Sequence, residues 1–189
     1  MTDRICSHRL ESAQYFQSPN CDVRPEGSNI KLIVIHGISL PPGEFSGNYI
    51  HDFFMNQLNA NLHPYFKEIS HLKVSSHVYI RRDGQIQQFV PFNLRAWHAG
   101  ASCYQNEQRC NDFSIGIELE GTDDCHYEPI QYAVLIDLLK VLLESYPDTQ
   151  KNPIVGHQHI APGRKTDPGP FFDWQQLKQA GFQVFESTE

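Results

Sequence analysis

Between Val155 and Gly169 the chain reads Val-Gly-His-Gln-His-Ile-Ala-Pro-Gly-Arg-Lys-Thr-Asp-Pro-Gly, placing two histidines, an arginine, a lysine and an aspartate in one irregular segment. Imidazole nitrogen and carboxylate oxygen are good zinc ligands, and a catalytic zinc site keeps three protein ligands with one position open for water. His157 follows the apolar run Ile154-Val155-Gly156 and Asp167 precedes a proline, so each candidate ligand stands where a regular element stops. A further ligand has to come from elsewhere. The β-branched run Ile30-Lys-Leu-Ile-Val-Ile-His36, bounded by Gly27-Ser28 and Gly37, predicts a strand buried on both faces. His36 at its exit stands where ligand sites of α/β sheets gather. Spacing alone leaves His157 and His159 as alternatives for the remaining imidazole.

A hydrolytic centre also needs a group that moves protons. Phe113-Ser-Ile-Gly-Ile-Glu-Leu-Glu-Gly121 alternates with period two, sending Phe113, Ile115, Ile117 and Leu119 to the core and Ser114, Gly116, Glu118 and Glu120 to the other face. Gly116 leaves space in front of Glu118, as if something approaches on that side. Either carboxylate is a candidate general acid or base. Trp97 and His98, followed by small residues, suit a cleft wall. His77 lies within a predicted strand and reads as a structural or supporting histidine.

The elements that position these groups follow from pattern and turn chemistry. The first 28 residues, polar and carrying Pro19, Pro25 and Gly27, read as an extended lead-in to one domain covering 1–189, with a core of about 29–181. Tyr49, Ile50, Phe53, Phe54 and Leu58 recur at helical spacing and predict a helix over about 46–59. Val74–Ile80 and Gln85–Val90 around Arg82-Asp-Gly84 predict a hairpin, since Asp-Gly between strand-like runs is a strong turn signal. A helix starts at Pro129 and stops at Tyr146-Pro147, a short strand covers 153–156, and a last helix runs from Asp173 to Gly181.

With 189 residues and 40% hydrophobic residues the chain has enough material for one sizeable core. A net charge of −7 gives no basic footprint for nucleic acid or an anionic membrane. The N-terminus has no apolar stretch of signal-peptide type, and no run is long enough to span a bilayer, so the expectation is a soluble, unexported protein. Five cysteines without a CxxC spacing suit free thiols in a reducing compartment.

Taken together, Ile33-Val-Ile-His36, Ser76-His-Val-Tyr-Ile-Arg-Arg-Asp-Gly84, Ala96-Trp-His-Ala-Gly100, Asn111–Gly121 and the late Gly156-His to Asp167-Pro-Gly169 motif resemble the zinc-dependent N-acetylmuramoyl-L-alanine amidases. The resemblance runs from about residue 18 to 174. It implies an α/β fold with a mixed central β-sheet flanked by helices, as in phage-lysozyme-type amidases and peptidoglycan-recognition proteins. It implies Zn2+ as cofactor, held by His36, His157 and Asp167, with Glu118 moving protons and Lys165 neutralising an oxyanion. The implied substrate is a muropeptide cut between a lactyl group and L-alanine, in a cytoplasmic recycling role. Arg109 and Arg164, with Trp97 and His98, are then candidates for binding that carboxylate-rich substrate. Two positions depart from the family pattern: His159 stands where relatives carry aspartate, and Gly37 where they often carry asparagine. Retention of the whole set argues against a muropeptide sensor that does not cut, and the missing His-Glu-x-x-His weakens an ordinary zinc peptidase.

Overall fold

The computed structural model describes residues 4–186. Its centre is the Ser114–Glu120 strand, which runs parallel to Leu32–Ile38 on one side and to Val78–Ile80 on the other. Val155–Gly156 extends the sheet parallel to Leu32–Ile38, while Ile86–Gln88 pairs antiparallel with Val78–Ile80 and Gln14–Tyr15 closes the far edge in parallel. The result is a six-stranded mixed sheet whose two long strands lie side by side in the middle.

Those two strands sit there because both their faces are covered. Every residue of Ser114–Glu120 is buried, so alternation sorts the side chains between two interiors and exposes neither set. Ile115, Ile117 and Leu119 meet Leu135, Leu138, Leu139 and Leu142 of the Pro129–Ser145 helix, in the largest apolar cluster. That helix begins as its sequence predicts, with Pro129 in its first turn and a reciprocal capping pair between Glu128 and Gln131. Each fully buried leucine contributes roughly 1.5–3 kcal/mol of transfer free energy, so this face fixes the helix on the sheet. On the other face Phe53, Phe54, Phe66 and Phe89 form a second cluster that backs the cleft described below.

Two predicted elements differ from what is found, and one was not predicted. The helix over 46–59 shrinks to Tyr49–Phe54, because Asn48 provides no side-chain cap and Asn56 turns left-handed at φ 58°. A second short helix, Pro64–Ile69, was not anticipated; His63 caps it by accepting from the Tyr65 amide. Residues 4–28 are no lead-in. Gln14–Tyr15 is a sheet strand, Cys21–Val23 pairs antiparallel with Leu94–Ala96, and the Arg24 guanidinium is buried, donating to the carbonyls of Phe92, Asn111, Asp112 and Ser114. Strands of two or three polar residues, paired to segments more than 70 positions away, leave no periodicity to read.

Candidate active site

His36 lies within the Leu32–Ile38 strand, two residues before its end, and its Cα partner on the neighbouring strand is Glu118. His157 is the first residue of a four-residue helix, His157–Ile160, that begins as Val155–Gly156 leaves the sheet. Asp167 sits in the loop beyond that helix, where its carbonyl accepts from the Gln158 amide and so folds the loop back over it. Three segments far apart in sequence thereby bring His36, His157 and Asp167 together at the ends of parallel strands.

The three side chains form a triangle. His36 Nδ1 is 3.0 Å from His157 Nδ1 and 3.2 Å from Asp167 Oδ2, and His157 Nδ1 is 3.1 Å from the same oxygen. A tetrahedral zinc ion with bonds of about 2.0–2.1 Å spaces its ligand atoms about 3.3 Å apart, so the triangle is a few tenths tighter than that. The chemistry of the donors points the same way. His157 Nε2 faces the Ala99 carbonyl at 3.1 Å, which can only accept, so the neutral ring is protonated there and leaves a lone pair on Nδ1. Burial and the neighbouring His157 lower the His36 pKa to about 4, which keeps that ring neutral and ligand-competent at neutral pH. The residues present therefore fit a small divalent cation.

His159 takes no part in this triangle. Its Nδ1 accepts from the Gly156 amide at 2.9 Å and its ring stacks on Phe185 with centroids 4.4 Å apart. Its role is to cap the helix that carries His157.

The two glutamates separate as sharply. Glu120 Oε2 accepts from the Arg82 amide at 3.0 Å, whereas Glu118 Oε2 is buried with no hydrogen-bond partner. Burial, reinforced by the charge of Asp167 and opposed by Lys165, holds the Glu118 pKa well above the ordinary glutamate range. Glu118 and the three triangle residues line one cleft of about 540 Å³, with Arg164, Lys165 and Thr166 on its rim. Lys165 is exposed, and its side chain makes no hydrogen bond or ion pair among the described residues. Arg164 reaches the carbonyls of Ala99 and Ala101 at 2.6 and 2.7 Å.

Of the expected substrate contacts, His98 and Arg164 line this cleft and Trp97 and Arg109 do not. The Trp97 indole N–H donates to Asp22. Arg109 is 69% exposed and paired with Asp112. His98 reaches the cleft only as part of its floor: it is 8% exposed, and its Nδ1 lies 2.9 Å from His36 Nε2. The space beside Gly116 is what admits it, since a Cβ there would fall 2.4 Å from His98 Cγ. What approaches that glycine is an imidazole of the same chain. Gly37 has a comparable reason, because a Cβ would fall 2.2 Å from the Tyr127 hydroxyl, which donates to the carbonyl of Pro168 beside Asp167. Neither Tyr127 nor the Ala99 carbonyl was anticipated; a glycine within a strand is the signal that points to such close approaches.

Comparison with known proteins gives this geometry a context. Residues 26–170 match the N-acetylmuramoyl-L-alanine amidase family. The 1,6-anhydro-N-acetylmuramyl-L-alanine amidase AmpD of Escherichia coli K12 is 53% identical over 180 residues, 95% of each chain. The crystal structure of a selenomethionine derivative of AmpD superposes with a TM-score of 0.90 at 51% identity, covering 93% of this chain and 98% of that one. The E. coli amidase AmiD, solved with the substrate anhydro-N-acetylmuramic acid-L-Ala-D-γ-Glu-L-Lys, has a TM-score of 0.61 at 32% identity, over 87% of this chain and 63% of its own. With a family match over residues 26–170 and 53% identity to such an amidase over 95% of each chain, this chain belongs to the N-acetylmuramoyl-L-alanine amidase family.

Proposed function

We propose that this protein hydrolyses the amide between the lactyl group of an anhydro-N-acetylmuramoyl sugar and L-alanine in muropeptides, using one zinc ion held by His36, His157 and Asp167. The observation that carries the reading is the pairing, in one cleft, of an open ligand triangle with a buried carboxylate oxygen that no protein group satisfies. Zinc in such a site supplies Lewis acidity and lowers the pKa of its water towards about 7. Glu118 accepts the proton of the attacking water and returns it to the departing L-alanine nitrogen, a task suited to a carboxyl whose pKa burial has raised well above the ordinary carboxylate range. Lys165, whose side chain has no hydrogen-bond or ion-pair partner among the described residues, faces the negative charge that develops on the carbonyl oxygen.

Substrate orientation follows from the two sides of the cleft. Tyr65 and Leu72 present apolar surface on one side, suited to a sugar face, while Arg164 and Lys165 bring positive charge on the other, towards the peptide carboxylates. Arg164 uses Nη2 on two backbone carbonyls and keeps its remaining donors for substrate. A cytoplasmic location belongs to the same proposal and is supported by the five unpaired thiols.

The test is mass spectrometry of products from an anhydromuramoyl tripeptide. Release of the tripeptide should stop with a chelator and return with added zinc. Binding without cleavage by the zinc-loaded protein would instead identify a sensor, and cleavage unaffected by metal removal would end the zinc reading.

A further inference from the structure

His98 is the buried titratable group that the proposed chemistry leaves without a task. Its partners fix where its protons are, by assignment from neighbours. Ser114 Oγ donates to the carbonyl of Cys110 at 2.5 Å, so it has only lone pairs to offer His98 Nε2, 3.1 Å away. The neutral His98 ring is then protonated at Nε2 and bare at Nδ1. The bare Nδ1 lies 2.9 Å from His36 Nε2, which must be the donor. That leaves the lone pair of His36 on Nδ1, aimed into the triangle. A hydrogen-bond relay thus runs from the Cys110 carbonyl through the Ser114 hydroxyl and the His98 ring to His36.

The same turn governs the other imidazole. Ala99, next to His98, presents the carbonyl that receives His157 Nε2–H. Asn111 Oδ1 accepts from the amides of His98 and Ala99 at 3.2 and 2.8 Å, which locks the turn in place. Gly116 gives the His98 ring its room on the central strand.

We propose that His98 is a positioning residue, which with Ser114 behind it sets the tautomer of His36 so that Nδ1 faces the metal, while the adjoining Ala99 carbonyl does the same for His157. This rests on the zinc reading of the triangle and adds to it the device that pre-forms the site before metal arrives. Groups behind metal-bound histidines fix ring orientation and tautomer in this way, and their loss costs roughly 10–100-fold in metal affinity.

Two measurements on the full chain test it. In metal-free protein labelled with 15N-histidine, long-range 1H–15N correlations should show His36 and His98 each protonated at Nε2. His98→Phe keeps a ring over Gly116 but removes the acceptor; its zinc affinity, measured by competition with a chromophoric chelator, should fall roughly 10–100-fold with His36 divided between tautomers. His98→Asn, whose Oδ1 takes the place of Nδ1, should recover most of that affinity, a rescue that a purely packing role would not give. Wild-type His36 protonated at Nδ1, or a folded His98→Phe that binds zinc as tightly as the wild type, overturns the proposal. Should His98→Phe not fold, Ser114→Ala decides: a several-fold weaker affinity supports the relay, and an unchanged affinity with an unchanged His36 tautomer refutes it. Failure of the zinc reading itself looks different, because then the wild type and His157→Ala would take up zinc alike.

Discussion

Two buried histidines stand close together in this molecule and have opposite outcomes. His77 is fully buried and satisfied on both ring nitrogens, Nδ1 accepting from the Gly116 amide and Nε2 facing the Leu94 carbonyl. His36 is equally buried, yet its Nδ1 meets another imidazole nitrogen and a carboxylate oxygen, none of which has a proton to give. The glutamates on the central strand repeat the contrast, Glu120 satisfied by an amide and Glu118 not. Burial alone is therefore no mark of function in this fold. Among the buried side-chain atoms left without a partner, Glu118 Oε2 is the one whose residue lines the cleft together with the ligand triangle, and that combination is the mark.

Experiments can push on that contrast, beginning where the expected loss is complete. His157→Ala should abolish stoichiometric zinc and detectable turnover, read by metal analysis and product release; retained zinc would show that the triangle is not the site. Glu118→Gln should keep its zinc and lose roughly 10²–10⁴ in kcat, whereas Glu120→Gln, which still offers an oxygen to Arg82, should stay within about threefold of wild type. Equal losses in both would erase the distinction between them. Lys165→Met should lower kcat on the order of 10²-fold with zinc content unchanged, as expected for one oxyanion-stabilising group.

The satisfied side of the comparison has its own signature in stability. Burial, then the charge of Arg24, lowers the His77 pKa from 6.5 to about 3. Between those values the unfolded chain binds a proton that the folded one refuses, so stability falls as pH drops through that window, at roughly 1.4 kcal/mol per pH unit from this residue. Urea midpoints measured from pH 7 to 4 should show the slope, and His77→Gln should reduce it by about that amount, leaving the contributions of the other buried histidines. The smallest effect belongs to His159→Ala, which should retain zinc and lose about 0.5–2 kcal/mol of stability with its contact to the Gly156 amide.

How far the sequence reaches is visible in the same residues. The triangle was legible because each member sits in a recognisable motif and near the end of an element. Glu118 over Glu120 and His157 over His159 were not separable by spacing, since the choice depends on which of two nearby groups a backbone amide satisfies, that of Arg82 for Glu120 and that of Gly156 for His159. Trp97 is absent from the cleft lining for a related reason: it shares a motif with His98, and only backbone direction in the turn held by Asn111 decides which of the two reaches the cleft. The long helix and the hairpin were legible from periodicity and turn chemistry, while the N-terminal strands, short and polar, had neither.

The buried Arg24 sets a practical boundary. It lies just outside the stretch that matches the family, residues 26–170, yet its guanidinium grips Ser114 of the central strand and the Asn111–Asp112 corner from which the His98 turn is hung. A protein trimmed to the matching stretch would lose the cation that fills this interior, and four carbonyls would be left facing one another. The smallest working unit of this enzyme therefore begins upstream of the region by which its relatives are recognised.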